Sequence, residues 1–173
     1  MSPAGSVPMP GRLPGLHIRP ALAADEDFFA ALYRSTRADL LALLADKRYI
    51  DGLVATQRQA QVANYRERYP QAVYQVLELD GAAAGRLVTA CVDDALRVVD
   101  LAVMPWARRR GVATETLLRL QHQAQQEGRV LRLAVRRDNE GARRLYAALG
   151  FVPDDEEGAV LQLRWRACAF ALP

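Results

Sequence analysis

The chain is short of the groups that disulfide and metal chemistry need. Two cysteines, Cys91 and Cys168, and two histidines, His17 and His122, are scattered over 173 residues. The cysteines have no C-x-x-C spacing and are too few for a disulfide framework, so both are expected as reduced thiols. The histidines stand apart from one another and from any cysteine–carboxylate cluster, so no metal site is expected. Long apolar runs are also missing. The longest, around Leu40 to Ala45, falls far short of the roughly 18 residues a membrane helix requires. Nor does one charge dominate: Lys and Arg number 23 against 20 Asp and Glu, a net of +3 carried mostly by arginine. Arg108–Arg110, Arg132, Arg136, Arg137, Arg143 and Arg144 outline a basic set, but so small an excess does not lead to a nucleic-acid partner.

What remains is ordinary globular usage, 51% hydrophobic and 25% charged residues, long enough for one domain with a real core. Residues 1–15 hold four prolines and three glycines and no continuous apolar stretch. They are expected as a flexible leader, not a secretory signal, followed by a single domain over 16–173 in a soluble, cytoplasmic protein.

The pattern predicts a short strand at Leu16 to Arg19, then a helix from Asp25 through Tyr33 with acid in its first turn. A short helix around Leu40 to Leu44 follows, and a longer one from Asp51 to Tyr69 that Pro70 ends. Ala72–Leu79 and Ala83–Val92 read as strands joined by a tight Asp80-Gly81 turn, with Asp93-Asp94 turning into a third strand, Leu96–Val103. A helix from Thr114 to Glu127 leads over Gly128 to a strand at Val130–Val135, parallel to Leu96–Val103 because it follows a helical crossover. Asp138 is expected to cap a helix to Leu149 with its stripe at Ala142, Leu145, Tyr146 and Leu149. A short strand at Phe151–Pro153, an acidic loop at Asp154–Gly158 and a strand at Val160–Arg166 complete the chain. The fold class is α/β (α+β): a mixed sheet of six to seven strands, antiparallel in its N-terminal half and parallel at its centre, with helices on both faces.

Chemistry concentrates where Leu101-Ala102-Val103 stops, turns at Pro105, becomes basic at Arg108-Arg109-Arg110 and opens a helix after Gly111. A helix start offers unpaired N–H groups and partial positive charge, so the amides from Arg109 to Thr114 suit a pyrophosphate. Gly111 and Ala113 leave room for it to touch backbone. Neither G-x-x-x-x-G-K-[ST] nor G-x-G-x-x-G is present. The pattern that is met is R/Q-x-x-G-x-G/A, at Arg108, Gly111 and Ala113. Farther on, Val135, Asn139, Ala142, Leu145, Tyr146, Gly150 and Phe151 fill V-x-x-x-N-x-x-A-x-x-L-Y-x-x-x-G-F.

In these two blocks and their order the chain resembles the GNAT N-acetyltransferase superfamily. The resemblance implies acetyl-CoA as acyl-donor cosubstrate, its pantetheine arm lying between the strands Leu96–Val103 and Val130–Val135 and pairing with backbone at Leu101 and Val103. It implies Arg108, Arg109, Arg110, Gly111, Val112, Ala113 and Thr114 on the pyrophosphate, Asn139 on the pantetheine side, and Tyr146 beside the thioester sulfur as acid for the departing thiolate. Asn139 and Tyr146 lie two helical turns apart and share a face. From the residues alone, Tyr146 could equally complete a core stripe and Asn139 could be a helix cap.

Asp100 is the candidate general base, a role that competes with pairing to an arginine; Glu78, Asp93, Asp94 and solvent are the alternatives. The acceptor, a primary amine of a small molecule, peptide or protein, is expected against the helices from Asp25 to Tyr69, where Tyr33, Arg37, Tyr49, Tyr65 and Tyr69 lie, and the Asp154–Gly158 loop. A catalytically silent acyl-CoA-binding module is the other reading of the same loop. A free strand edge near Leu161–Trp165 leaves room for a homodimer.

Overall fold

The computed structural model describes residues 13–43, 46–155 and 159–167. Most of the expected leader, Cys168, Leu44 and the tip of the acidic loop lie outside the described residues. The chain divides into two compact units, one made of residues 15–90 and 99–112, the other of residues 91–98 and 113 onward.

In the first unit, β1 (Leu16–Pro20), β2 (Val73–Leu79) and β3 (Ala82–Val92, whose last two residues belong to the other unit) pair antiparallel, with Leu16 opposite Leu79 and Val76 opposite Arg86. Asp80 and Gly81, both at positive φ (53° and 81°), make the tight turn the sequence predicts. Helices α1 (Glu26–Ser35), α2 (Ala38–Leu41) and α3 (Lys47–Arg68) come between β1 and β2. Helix α3 starts four residues earlier than expected because Asp46 caps it, accepting from the Arg48 amide at 2.8 Å. Asp51 instead sits one turn inside, held by Arg34 and by Lys47 at 2.7 Å. Tyr33, Leu40, Ile50 and Val54 bury together as the apolar seam of these helices.

Arg19 ties β1 to the start of α1. Its guanidinium reaches both oxygens of Asp25, at 2.7 and 2.8 Å, and Glu78 at 2.6 Å. The Arg19 hydrogen bonds, joined by one from the Leu22 amide, hold the Asp25 carboxyl down to about 2 from its ordinary 3.8. The folded chain therefore binds that proton more weakly than the unfolded one. The stability this supplies is present above about pH 4 and is lost as the pH falls toward 2. Asp25→Asn is expected to flatten the acid limb of melting temperature between pH 5 and 2; an unchanged limb would show that the pair contributes nothing.

In the second unit, the parallel pair is the start of β4 (Ala95–Val103) against β5 (Val130–Arg136), from Ala95 opposite Val130 to Val98 opposite Leu133. Helix α4 (Val112–Gln126) connects them, beginning two residues before the expected Thr114. Helix α5 (Glu140–Ala148), β6 (Val152–Asp155) and β7 (Val160–Trp165) complete the unit. Leu131, Leu133, Leu161, Leu163 and Trp165 are buried while Arg132 and Arg164, at alternate positions, share Asp154 at 3.1 and 3.2 Å.

The strand order is β1-β2-β3-β4-β5-β7-β6 in a seven-stranded mixed sheet. Two expectations are corrected. The strand at Leu161–Trp165 is not a free edge: β7 pairs with β5 on one side and β6 on the other, so the edges are β1 and β6 and the stated reason for a homodimer falls. Asn139, not Asp138, caps α5, because Asp138 is drawn to Arg136 at 2.6 Å. Strand β6 also takes Asp154 and Asp155 out of the expected loop. Among the described residues no helix is long and apolar enough to cross a membrane, and no group of His, Cys, Asp and Glu could hold a metal ion.

Candidate active site

Strand β4 ends at Val103, and the next amide, of Met104, donates to the Ala84 carbonyl at 2.7 Å. A single 3-10 turn over Pro105–Ala107 then reverses the chain, with the Ala107 and Arg108 amides both donating to the Met104 carbonyl. Arg109 (φ 60°) and Gly111 (φ 87°) both enter the left-handed region before α4 begins at Val112. For a non-glycine residue such as Arg109 this conformation is uncommon. Ala107 and Val112, 0% and 1% exposed, pin the bend at both ends. The result is a fixed backbone bend opening onto a helix N-terminus, the arrangement that suits an anion.

Two of the three arginine side chains of the loop, Arg108 and Arg110, are engaged with protein. Arg108 Nε donates to the Val103 carbonyl at 2.9 Å and its Nη2 to the Ser35 carbonyl at 3.4 Å. Arg110 lies over the Trp106 ring and pairs with Asp80 at 3.2 Å. What the loop presents is thus its backbone and the exposed Arg109 side chain.

Val99 to Val103 are half-buried, and the ladder of β4 with β5 stops at Val98 and Leu133 although both strands run on. Close to the end of β4 the chain demands a glycine: a Cβ on Gly85 would stand 2.5 Å from the Ala102 carbonyl oxygen.

Asp100 carries a cluster of its own. Arg86 Nε donates to its Oδ2 at 2.9 Å, and the Tyr65 hydroxyl, from α3, donates to its Oδ1 at 3.4 Å. Arg86 also reaches Gln61 Oε1 at 3.2 Å and lies over the Phe29 ring, 5.7 Å from its centroid. Its side chain is 5% exposed and that of Asp100 17%. Burial, then the charge of Asp100, pushes the Tyr65 phenol well above its ordinary range, so it remains a hydroxyl donor. The Tyr74 hydroxyl is buried without a hydrogen-bond partner. The arginine pairing that competed with a base role for Asp100 is therefore real. Arg86 was legible in principle: it is a lone charge in the apolar run Ala82–Val92, and the Asp93-Asp94 turn folds that run back toward Asp100.

Asn139 caps α5, its Oδ1 accepting from the Ala142 amide at 3.1 Å. That use leaves both protons of its Nδ2 for other acceptors. Tyr146 is 9% exposed, with its ring edge-on to Phe151 at 5.7 Å. Of the acceptor-side candidates, only Tyr65 touches Asp100. Tyr33 is core and hydrogen-bonds to Arg37, Tyr49 is 64% exposed, and Tyr69 follows α3 beside Arg68.

The two sequence blocks thus lie on a strand, a left-handed bend and a helix start, and on an Asn-capped helix with a buried tyrosine. A sequence model of the acetyltransferase (GNAT) family matches residues 31–151, and the chain belongs to that family. It is an acetyltransferase whose acyl donor is acetyl-CoA. Solved structures agree on the fold. The PaiA N-acetyltransferase of Thermoplasma acidophilum in complex with coenzyme A superposes with a TM-score of 0.66 at 15% identity over 87% of this chain and 98% of that one. YncA of Salmonella typhimurium, described as a putative acetyltransferase with acetyl-CoA, gives 0.54 at 18% identity over 92% and 98%. The ribosomal-protein-S18-alanine N-acetyltransferase of Escherichia coli gives 0.57 at 21% identity over 87% and 93%. None of the curated proteins compared with the chain matches it.

Proposed function

We propose that this chain, as a single cytoplasmic domain over residues 16–173, moves the acetyl group of acetyl-CoA to a primary amine of a small molecule, peptide or protein by direct attack on the thioester. The observation that carries this reading is the left-handed bend at Arg109 and Gly111, which turns the chain from β4 into the start of α4. Amides from Arg109 to Thr114 bind the diphosphate there. The early end of the β4–β5 ladder supports a pantetheine arm paired with backbone at Leu101 and Val103. Arg108 now occupies the Val103 carbonyl; swinging to the diphosphate, it frees that carbonyl for the arm, so one side chain serves both ends of the donor. Asn139 donates its Nδ2 protons to the arm.

Acetyl-CoA supplies an activated acyl carbon, and the protein places a neutral amine within about 3–3.5 Å of it. The Val103 N–H stabilises the carbonyl oxygen as charge builds. Tyr146 protonates the departing thiolate, and Asp100 takes the proton lost by the amine. Its Oδ1 is the available oxygen, since the Tyr65 bond at 3.4 Å is the longer of the two it makes.

Free-thiol release from acetyl-CoA over an amine panel tests the reading. Binding without release for any amine would leave the silent acyl-CoA-binding module. Asp100→Asn is expected to lower kcat/KM by about 10²- to 10⁴-fold, the range of general acid–base contributions. Its amide oxygen still accepts from Arg86, so the melting temperature separates lost chemistry from lost folding. Full activity in a folded variant would assign the proton to solvent.

A further inference from the structure

One face of β4, β5 and β7 in the second unit carries a row of like charge. Register sets Arg97 of β4 opposite Arg132 of β5, and Arg132 opposite Arg164 of β7. Residues opposite one another across strands share a face, and the sequence neighbours of these three, Leu96, Val98, Leu131, Leu133, Leu163 and Trp165, are buried on the other. With strands about 4.8 Å apart, the arginines are rooted within about 10 Å of one another, and like charges directly opposite cost stability. One carboxylate offsets part of that cost. Asp154 bridges two of them, its Oδ2 meeting Arg132 Nε at 3.1 Å and its Oδ1 meeting Arg164 Nε at 3.2 Å. Arg97 reaches across β5 instead, its Nη2 donating to the neutral Gln162 Oε1 at 2.8 Å. Three arginines against one aspartate leave two positive charges, and among the described residues the Nη groups of Arg132 and Arg164 have no partner. Their side chains are 43% and 49% exposed.

We propose that this face docks an acidic segment of another polypeptide, an extended stretch with at least two Asp or Glu side chains. The row itself displays the chemistry: one carboxylate already joins Arg132 to Arg164, and a second would join Arg97 to Arg132 through the exposed Nη groups of Arg132. Length favours a chain over a small anion. Along β5 the same face passes Ala134 and ends about 13 Å on at Arg136, opposite Val160, beside a hollow of about 500 Å³ that Arg137 and Ala159 also line. Arg136 is paired with Asp138, so this end seats a neutral side chain. Nucleic acid fits less well. Between the arginines the face presents Ala134, Gln162 and Val160, with no ring on which a base could stack, and a net charge of +3 gives little general pull on phosphates. The surface shares no residue with the donor loop or the Asp100 cluster, so its occupancy is read from binding alone, whatever the outcome for the acetyltransferase reading.

The test is fluorescence anisotropy with the full chain and three labelled probes. These are a decapeptide rich in Asp and Glu, the same decapeptide with Asn and Gln in their place, and a single-stranded DNA of similar length. The acidic peptide is expected to bind more tightly than about 1 mM and its neutral counterpart not to bind. Its affinity should fall several-fold between about 50 and 200 mM salt, as exposed charges are screened. Arg97→Gln and Arg132→Gln each remove one end of the second carboxylate bridge and are expected to weaken binding about three- to tenfold. Arg48→Gln, which removes an exposed charge at the start of α3, should leave it within about twofold. Should Arg97→Gln not fold, Arg132→Gln and Arg164→Gln, at half-exposed positions, carry the comparison. Failure of the acidic peptide to bind overturns the proposal. So does an equal loss in Arg48→Gln, which would make the attraction one of overall charge, and so does tighter binding of the DNA through the same arginines. None of these results touches acetyl-CoA binding, which calorimetry on the same variants reads separately.

Discussion

Tyr146→Phe is expected to lower kcat by about 10²- to 10⁴-fold, the usual contribution of a positioned acid, while acetyl-CoA affinity measured by calorimetry stays within a few-fold. The substitution removes an oxygen and keeps the ring. Tyr146 is 9% exposed and packs edge-on to Phe151, 5.7 Å between centroids, so the phenylalanine keeps that contact and the end of α5 stays in place. Full proton transfer from a phenol with a reference pKa near 10 to a thiolate whose acid has one near 8.5 is uphill by roughly 1.5 units. The acid role therefore depends on the hydroxyl being in place when the carbon–sulfur bond breaks. Such an interaction exists only in the transition state, so its loss appears in kcat and hardly at all in donor binding. Equal kcat in the two proteins would reduce Tyr146 to a core aromatic.

Gly111→Val is expected to abolish acetyl-CoA binding with the fold intact. At φ 87° a valine is forced into a region that branched residues rarely enter, at a cost of order 1–3 kcal/mol. That is a small part of the roughly 5–15 kcal/mol by which a typical domain is stable. The strain can be relieved only by unwinding the bend, and the bend is what aims the amides at the start of α4. A Cβ there also takes space the diphosphate would fill. Gly111→Ala should lie between the two. Calorimetry with acetyl-CoA and a thermal melt are the measurements. Undiminished affinity in a folded Gly111→Val protein would refute the loop assignment, and with it the reading of the chain as an acetyl-CoA enzyme at this site.

Much of the local geometry of the candidate site was legible because its signals are local. The bend between β4 and α4 is written in consecutive residues from Pro105 to Gly111, and the Asn139 cap in a residue and the amide three positions on. The one uncertainty there was which of two adjacent residues would cap, and the nearby Arg136 settled it by claiming Asp138. The start of α3 was missed for a similar reason: Asp46 and Asp51 are both caps by residue type, and only the partner of Asp51 across the helix pair excludes it.

The sequence by itself determined the order of elements, the parallel pairing of β4 with β5 and the two linked blocks that name the family, since periodicity, caps and turns act over a few residues. Tertiary structure alone decided that β7 slots between β5 and β6, and that Asp100 is met by Arg86, 14 residues away, and by Tyr65, 35 residues away. Hydrogen bonds between strands and helices distant in the chain leave no local imprint. The pairing of Asp100 with Arg86 follows from those distant contacts.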